Sequence, residues 1–298
     1  MRTENLKVPQ GPVDLVLDTD AYNEIDDQFA IAYALRSTEK LNLTALYAAP
    51  FFNAHSTGPR DGMEKSYDEI LKILDLAGEK RDVFRGSEAY LPDEKTPVPS
   101  DAARDLTKRA MRYSPEKPLY VVAIGAITNV ASAILLKPEI VDRIVIVWLG
   151  GHALHCSHTK EFNMMQDVAA ARVVMGSGAP FVQLPCDGVV SAFTVSESDL
   201  KAWFYGKGAL ADYLAKNTVR EAEVYAKGRA WSRVIWDVTA VAWLLNDGER
   251  FMRQRIVPVH LPAYDHHYEL HPDAHPMTYV YQIKRDALFN DMIAKLTQ

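Results

Sequence analysis

Short apolar runs alternate along the first two thirds of the chain with segments whose apolar residues recur at helical spacing. Six runs predict strands: 13–17, 43–49, 82–86, 119–124, 144–149 and 181–184. Most are continuously apolar, as strands covered on both faces are. Phe29, Ile31 and Leu35 predict a helix that begins at Asp26, and residues 67–76 predict another. Helices between buried strands indicate an α/β fold with a mostly parallel central sheet flanked by helices.

The last third of the chain is predicted to be less regular. Beyond the sixth run we predict a mostly helical segment, two strand-like runs and a closing helix, at 196–249, 256–261, 278–283 and 285–296. The helical segment includes a strongly apolar helix at 241–245, and the Pro-rich, charged residues 90–100 predict a surface loop. No internal repeat is visible, so we expect one α/β domain spanning residues 1–298.

Composition narrows the classes of function. The 298 residues are 48% hydrophobic and carry a formal net charge of −6, with no long basic run, which argues against a nucleic-acid partner. The two cysteines, Cys156 and Cys186, fit a reducing compartment better than a disulfide framework. Because the N-terminus has no apolar secretion signal and no stretch reaches membrane-spanning length, we expect a cytoplasmic protein with no membrane partner.

The residues richest in chemistry lie where the first strand ends and the first helix begins. Asp18 and Asp20 follow the strand, Glu24 lies in a turn, and Asp26 and Asp27 occupy the first helical turn. Five carboxylates this close repel one another unless a cation lies between them, and their hard oxygens suit a divalent ion. A helix cap with a solvated acidic face is the alternative. The apolar segments on either side favour a buried metal or catalytic site.

Asp18, Asp20, Asp26 and Asp27 resemble the four aspartates of DxDPGxDD, the N-terminal signature of the inosine-uridine preferring nucleoside hydrolases. The connecting segment, residues 21–25, is two residues longer than the Pro-Gly-x of that signature. The resemblance implies that Asp20 is a metal ligand and the general base. It also implies that Asp27 is a second ligand and that Asp26 orients the ribose.

Two further strand ends extend the resemblance. Gly125, Thr128 and Asn129 match three positions of the GPLTN motif of that family, which implies that Ile124 offers its backbone carbonyl to the metal. Asn53, which follows the second strand, occupies the region of a family asparagine that contacts the metal-site aspartates and the substrate. A plain turn residue is the alternative for Asn53. Ligands of open α/β sheets gather at the carboxyl ends of strands, so these positions are expected to meet.

A glycine pair and a Glu-Phe-Asn segment follow the fifth strand. Gly150-Gly151 and residues 161–163 resemble the MGG and EFN elements of the family. This implies that Glu161 and Asn163 hydrogen-bond ribose hydroxyls, for which a carboxylate and an amide are suited. The family's Gly-Asn upstream of EFN is missing. His155 falls where that asparagine would be, and we expect it to contact the 5′-hydroxyl.

Asp237 is an isolated carboxylate among apolar residues. A buried carboxylate must be paired or bound to a metal, so Asp237 is the predicted third side-chain ligand. Trp236-Asp237 resembles a family pair that is His-Asp or Trp-Asp. The Trp variant implies that Trp236 stacks on the base, whereas a histidine there can protonate the leaving base. A tryptophan of the apolar core is the alternative.

The matches occur in the order of the family and imply Ca²⁺-dependent hydrolysis of the N-glycosidic bond of ribonucleosides by a homodimer or homotetramer. A catalytically altered member that binds ribosides stays open. So does a metal-dependent phosphohydrolase, although no basic phosphate clamp adjoins the acidic cluster in the sequence. A zinc site formed by His152, His155 and His158 is conceivable, but no fourth ligand is evident. His155, His158, the C-terminal histidines and a water channel remain candidates for protonating the base.

Overall fold

The computed structural model describes residues 3–298, in which strands and helices alternate. The strands are β1 (Val13–Thr19), β2 (Leu41–Ala48), β3 (Asp82–Arg85), β4 (Leu119–Ala123), β5 (Ile144–Leu149), β6 (Phe181–Leu184), β7 (Thr194–Ser196), β8 (Ser232–Val234), β9 (Met252–Pro258), β10 (His260–Pro262), β11 (Tyr268–Leu270) and β12 (Pro276–Ile283). The helices are α1 (Asp26–Leu35), α2 (Pro59–Ala77), α3 (Asp101–Ala110), α4 (Thr128–Leu136), α5 (Phe162–Gln166), α6 (Val168–Gly176), α7 (Glu197–Trp203), α8 (Ala209–Ala226), α9 (Val238–Leu244) and α10 (Arg285–Leu296).

Eight strands form one sheet in the order β3-β2-β1-β4-β5-β6-β12-β9. All neighbours in it are parallel except the edge strand β9, which runs antiparallel to β12. The predicted fold class, a mostly parallel sheet flanked by helices, is therefore confirmed. β1 pairs with β2 on one side and with β4 on the other. The strand order reverses there, and ligands of such sheets bind outside the carboxyl ends of strands at such a reversal.

Apolar side chains cover both faces of the sheet. Leu15 and Val122 pack in the same core as residues of α1 and α9. Val16 and Val121 pack in a second core with residues of α3, α4 and α6. Neighbouring residues of a strand point to opposite faces, so two cores require strands that are apolar at every position. This explains the continuous apolar runs of the sequence.

Several element boundaries differ from the prediction. The helix predicted at 67–76 begins earlier, at Pro59. The sequence pattern missed its first turns because they are polar, contain Gly62 and show no apolar period. The strand predicted at 256–261 covers the end of β9 and the start of β10. β7, at the start of the region predicted as helical, and β8, inside that region, form a small antiparallel pair. The surface loop at 90–100 is confirmed. Among residues 3–298, no helix is long and apolar enough to cross a membrane.

Candidate active site

Three carboxylates converge beyond the carboxyl end of β1. Asp26 and Asp27 lie in the first turn of α1, and Asp237 occupies the N-cap position of α9 without a side-chain capping hydrogen bond. Each offers an oxygen within 4.8 Å of the other two, and all three are buried. Burial raises the pKa of Asp27 to about 7, although Thr19 donates a hydrogen bond to it. Burial and the neighbouring carboxylates raise the pKa of Asp26 and Asp237 well above the usual range.

Asp20 lies beside Asp27 but outside this trio. Its side chain is fully buried, and neither carboxylate oxygen receives a hydrogen bond from any described residue. Burial, with the charges of Asp27 and Asp26, raises its pKa well above the usual range. The carboxylate lies against Gly125, where an added Cβ would approach Asp20 Cγ to 3.0 Å. The side-chain ligands implied by the resemblance are Asp20, Asp27 and Asp237, whereas the three carboxylates that converge are Asp26, Asp27 and Asp237.

The residues present fit a metal ion. Asp20, Asp26, Asp27 and Asp237 are all buried, and none forms an ion pair with a cationic side chain of residues 3–298. A buried carboxylate without a cationic partner needs either a proton or a metal ion. Carboxylate oxygens are ligands that hard divalent cations prefer. The buried acidic cluster could therefore hold a metal ion.

Glu161 is held by backbone N–H groups at the start of α5. Its Oε2 accepts hydrogen bonds from the amides of Gly151 (2.7 Å) and Met164 (2.9 Å), and its Oε1 accepts one from the amide of Asn163 (2.8 Å). Burial raises the pKa of Glu161, and these hydrogen bonds oppose that increase. The positive φ of Gly151, +75°, lets the chain turn so that its amide faces the carboxylate.

Asn163 links the carboxyl ends of β4 and β5. Its Nδ2 donates to the carbonyl oxygens of Ile124 (3.2 Å) and Leu149 (3.0 Å). The Ile124 carbonyl predicted as a metal ligand is thereby held at the cavity wall. Asn53 lines the same cavity, where its Nδ2 donates to Oδ1 of Asn23 at 2.5 Å. Asn53 therefore contacts the lengthened turn after Asp20, whereas the prediction had it contact the aspartates.

A cavity of about 440 Å³ opens above these groups. The predicted site residues that line it are Asp26, Asp27, Asn53, Ile124, Glu161, Asn163, Trp236 and Asp237. They come from the ends of β1, β2, β4 and β5 and from the start of α9, which are far apart in sequence. The topology therefore brings the predicted positions to one cavity.

Comparison with known proteins identifies the family. The profile of the inosine-uridine preferring nucleoside hydrolases matches residues 15–269. The chain belongs to this family. It is 27% identical to the probable uridine nucleosidase 2 of Arabidopsis thaliana, over 68% of this chain and 67% of that protein. It is also 27% identical to the pyrimidine-specific ribonucleoside hydrolase RihA of Citrobacter koseri, over 74% of this chain and 76% of that protein.

Solved structures show the same fold. A plant nucleoside hydrolase, PpNRh1, superposes with a TM-score of 0.77 at 18% identity, covering 96% of this chain and 99% of that chain. The purine-preferring ribonucleoside hydrolase from Gardnerella vaginalis gives a TM-score of 0.74 at 20% identity, covering 95% and 98%. The effector XopQ, solved in complex with adenosine diphosphate ribose, gives 0.73 at 16% identity, covering 98% and 95%. The predicted family, one of N-ribosyl hydrolases, is confirmed.

His155 does not reach the nucleoside hydrolase cavity. The side chain is exposed and its ring lies beside Gly188. Instead, His152 and His158 line the cavity, with their rings in edge-to-face contact at 5.4 Å. A turn in which the amide of Cys156 donates to the carbonyl of Ala153 directs His155 outward. A zinc site that needs all three histidines does not form, and the histidine spacing alone did not show which of them face inward.

Asp18, the first aspartate of the family signature, lies beneath the cavity and not in its lining. Its Oδ1 accepts a hydrogen bond from Nδ2 of Asn129 at 2.8 Å. Asn129 also donates to the carbonyl of Ala48 and accepts a hydrogen bond from the amide of Ser87. Burial raises the pKa of Asp18 to about 7, and the Asn129 hydrogen bond opposes that increase. Asn129 therefore joins β1, β2 and the segment that leads to α3.

We expect Asn129→Ala to lower the free energy of unfolding by about 3 kcal/mol, because it leaves a buried carboxylate and two backbone groups unpaired. Urea denaturation followed by circular dichroism measures the change. Asn290→Ala, at an exposed position of α10, is the control and should change stability by less than about 0.5 kcal/mol. An Asn129→Ala protein as stable as its parent would show that the network does not support the site.

Proposed function

We propose that this chain is a Ca²⁺-dependent N-ribosyl hydrolase that converts a ribonucleoside and water into ribose and a free base. The water oxygen bonds to C1′ of the ribose and the C1′–N bond breaks. The base leaves with the electron pair of that bond and takes up a proton. The observation that carries the proposal is a set of buried carboxylates without a cationic partner: Asp26, Asp27 and Asp237 line a cavity that also holds Glu161 and Asn163, and Asp20 lies beside Asp27.

Asp27, Asp237 and the Ile124 carbonyl would hold the ion together with Asp20, and Asp26 is placed to contribute or to meet the ribose. Ca²⁺ is the ion we propose, because it accepts many oxygen ligands and tolerates irregular geometry. When bound, it supplies positive charge for the ribose hydroxyls and lowers the pKa of a water molecule.

Asp20 is the proposed general base. Its carboxylate is buried and receives no hydrogen bond from a described residue, and burial with the charges of Asp27 and Asp26 raises its pKa, which makes it a stronger base than a solvated aspartate. Asn163 is held by two backbone carbonyls and Glu161 by three amides, so both are preorganised to bind hydroxyls of the ribose. Asn53, which lines the same cavity, is the third ribose contact that we propose.

Trp236 is the proposed stacking surface for the base. Its side chain is half-buried and lines the cavity next to Asp237. Because stacking of a base on an aromatic ring contributes roughly 1–3 kcal/mol, Trp236→Ala should lower kcat/KM for nucleosides by about 30-fold. Trp236→Phe should retain most of the activity. Trp203→Ala, at a side chain that is 51% exposed, is the control. An unchanged kcat/KM in Trp236→Ala would assign Trp236 to the core alone.

Activity is tested by incubating the Ca²⁺-loaded protein with inosine, uridine and adenosine and measuring free ribose. Release of ribose from at least one nucleoside is expected. No ribose from any of them, with the ion demonstrably bound, would defeat the proposal. A riboside-binding protein without turnover is the second candidate, and it is favoured by the position of Asp20 outside the trio. Asp20→Ala should abolish turnover in the enzyme, whereas a binding protein has no turnover to lose.

The family assignment favours N-glycosidic hydrolysis over the phosphohydrolase alternative. The homodimeric or homotetrameric state, the cytoplasmic location and the single-domain boundary at 1–298 stay predictions. The identity of the base is likewise open between purines and pyrimidines, since the named relatives include both kinds.

A further inference from the structure

One arginine connects the lengthened turn between β1 and α1 to two other elements. Arg233 lies on β8, and its guanidinium donates a hydrogen bond to Oε2 of Glu24, in the turn, at 3.1 Å. A second nitrogen of the same group donates to the hydroxyl of Tyr225, near the end of α8, at 3.3 Å. Arg233 therefore joins β8, the turn and α8. The proposed hydrolysis gives this arginine no role.

The backbone of Arg233 is held by a neighbouring strand. β8 pairs antiparallel with β7, where Arg233 lies opposite Val195, and the amide of Ile235 donates to the carbonyl of Phe193 at 2.9 Å. The Arg233 side chain is 19% exposed, against 46% for the side chain of Glu24. The arginine is thus the more constrained partner of the pair, and the turn is the part that it holds.

The part of the turn that Arg233 holds is the part next to the acidic trio, Asp26, Asp27 and Asp237. Glu24 lies two residues before Asp26 and lines the same cavity. Other side chains contact residues 21–23, which lie nearer to Asp20. Because Glu24 and Asp26 are so close along the chain, a displacement of Glu24 changes the direction of the Asp26 side chain.

Arg233 also places a positive charge near the trio, although its ion pair is with Glu24. Burial and the charges of Glu24 and Asp27 raise the pKa of Asp26, and the charge of Arg233 opposes that increase. By charge alone, Arg233 disfavours a cation at the trio, since like charges repel. By geometry it favours that cation, because it holds the turn in the conformation in which the carboxylates converge. The two effects have opposite signs, so experiment can separate them.

We propose that Arg233 is a positioning residue for the metal site: it holds Glu24 and, through the turn, fixes the direction of Asp26 toward a divalent cation. The inference rests on the proposed Ca²⁺-dependent function. It gives a role to the segment 21–25, which is two residues longer than the Pro-Gly-x of the family signature. The longer turn has a carboxylate that reaches β8, and this contact compensates for the added length.

The test measures Ca²⁺ affinity by calorimetry in Arg233→Gln, in Glu24→Gln and in the double variant. Residues that orient metal ligands typically change metal affinity by factors of ten or more, so Arg233→Gln should weaken Ca²⁺ binding about ten-fold. Loss of a nearby positive charge alone would strengthen it. The double variant has the net charge of the parent, and it should also bind Ca²⁺ about ten-fold more weakly. Arg233→Lys keeps the charge and can still pair with Glu24, so it should retain most of the affinity.

Activity supplies a second readout. At limiting Ca²⁺, kcat/KM of Arg233→Gln for nucleosides should fall about as far as the affinity, and excess Ca²⁺ should restore most of it. The matched control is Arg104→Gln, which removes an arginine that is 57% exposed on α3 and paired with Asp101. It should change neither quantity. Circular dichroism confirms that each variant is folded, and Glu24→Gln breaks the same ion pair from its more exposed side.

The outcomes separate this proposal from the hydrolase function. Unchanged or tighter Ca²⁺ binding in Arg233→Gln, or parental affinity in the double variant, would overturn the positioning role. If the affinities shift as expected but the parent releases no ribose from any nucleoside, the hydrolase function is refuted and the positioning role stands. If the parent releases ribose and all variants bind Ca²⁺ equally, the hydrolase function stands and the positioning role is refuted.

Discussion

Replacing Asp237 with asparagine is expected to lower kcat/KM at least about 1,000-fold and to weaken Ca²⁺ binding strongly. Asp237 is distant from Asp26 and Asp27 in sequence, yet one of its carboxylate oxygens lies within 4.8 Å of a carboxylate oxygen of each of them. Asparagine keeps the volume and one oxygen but removes the charge. Electrostatic stabilisation by preorganised charged groups is typically worth factors of this size. Steady-state rates and calcium calorimetry measure the two effects.

The control for Asp237→Asn is Asp273→Asn, which removes the same charge at an exposed position before β12. It should alter neither calcium affinity nor rate. A folded Asp237→Asn protein that binds Ca²⁺ as its parent does would show that the trio is not the metal site. If the parent protein binds Ca²⁺ but shows no turnover, and Asp237→Asn loses the Ca²⁺ binding, the riboside-binding alternative is favoured instead.

The sequence predicted the fold and most of the cavity lining because two kinds of signal were strong. Strands covered on both faces must be apolar at every position, so the parallel sheet could be recognised from its runs. Asp237 could be predicted to lie at the site because a carboxylate at the start of the apolar helix α9 has no partner within that helix. Parallel strands then place their carboxyl ends together, which converts separate sequence positions into one site.

What the sequence did not predict depends on turns. The amide of Asn23 donates to the carbonyl of Asp20, so the chain reverses immediately after Asp20 and the lengthened segment sets where Asp26 points. That geometry replaces Asp20 by Asp26 in the trio. The loop after β5 has no apolar period, so nothing in its residue types distinguishes His158, which lines the cavity, from His155, which does not. Side-chain direction in loops follows from turn geometry, which composition does not specify.

Removing the metal with a chelator is expected to make the stability of the protein fall as the pH rises from about 4 to about 7. Burial raises the pKa of both Asp18 and Asp27 to about 7, against 3.8 for a free aspartate. The folded state therefore binds more protons than the unfolded state throughout this window, and its stability decreases with pH. The stabilisation is complete below about pH 4 and is lost near pH 7. Since one pKa unit corresponds to about 1.4 kcal/mol and each pKa rises by roughly three units, the loss should be about 4 kcal/mol for each of the two groups.

Thermal unfolding of the metal-free and Ca²⁺-loaded proteins at several pH values measures this effect. Ca²⁺ should raise Tm by about 10 °C at pH 8 and by much less at pH 5, because ionised carboxylates bind the ion and protonated ones do not. Asp18→Asn serves as the control, since Asp18 lies outside the cavity lining: it should reduce the slope of the metal-free protein and keep the response to Ca²⁺. A metal-free Tm that stays constant or rises between pH 5 and pH 8 would contradict the raised pKa of the buried carboxylates, and with it the reason for placing a cation beside Asp27.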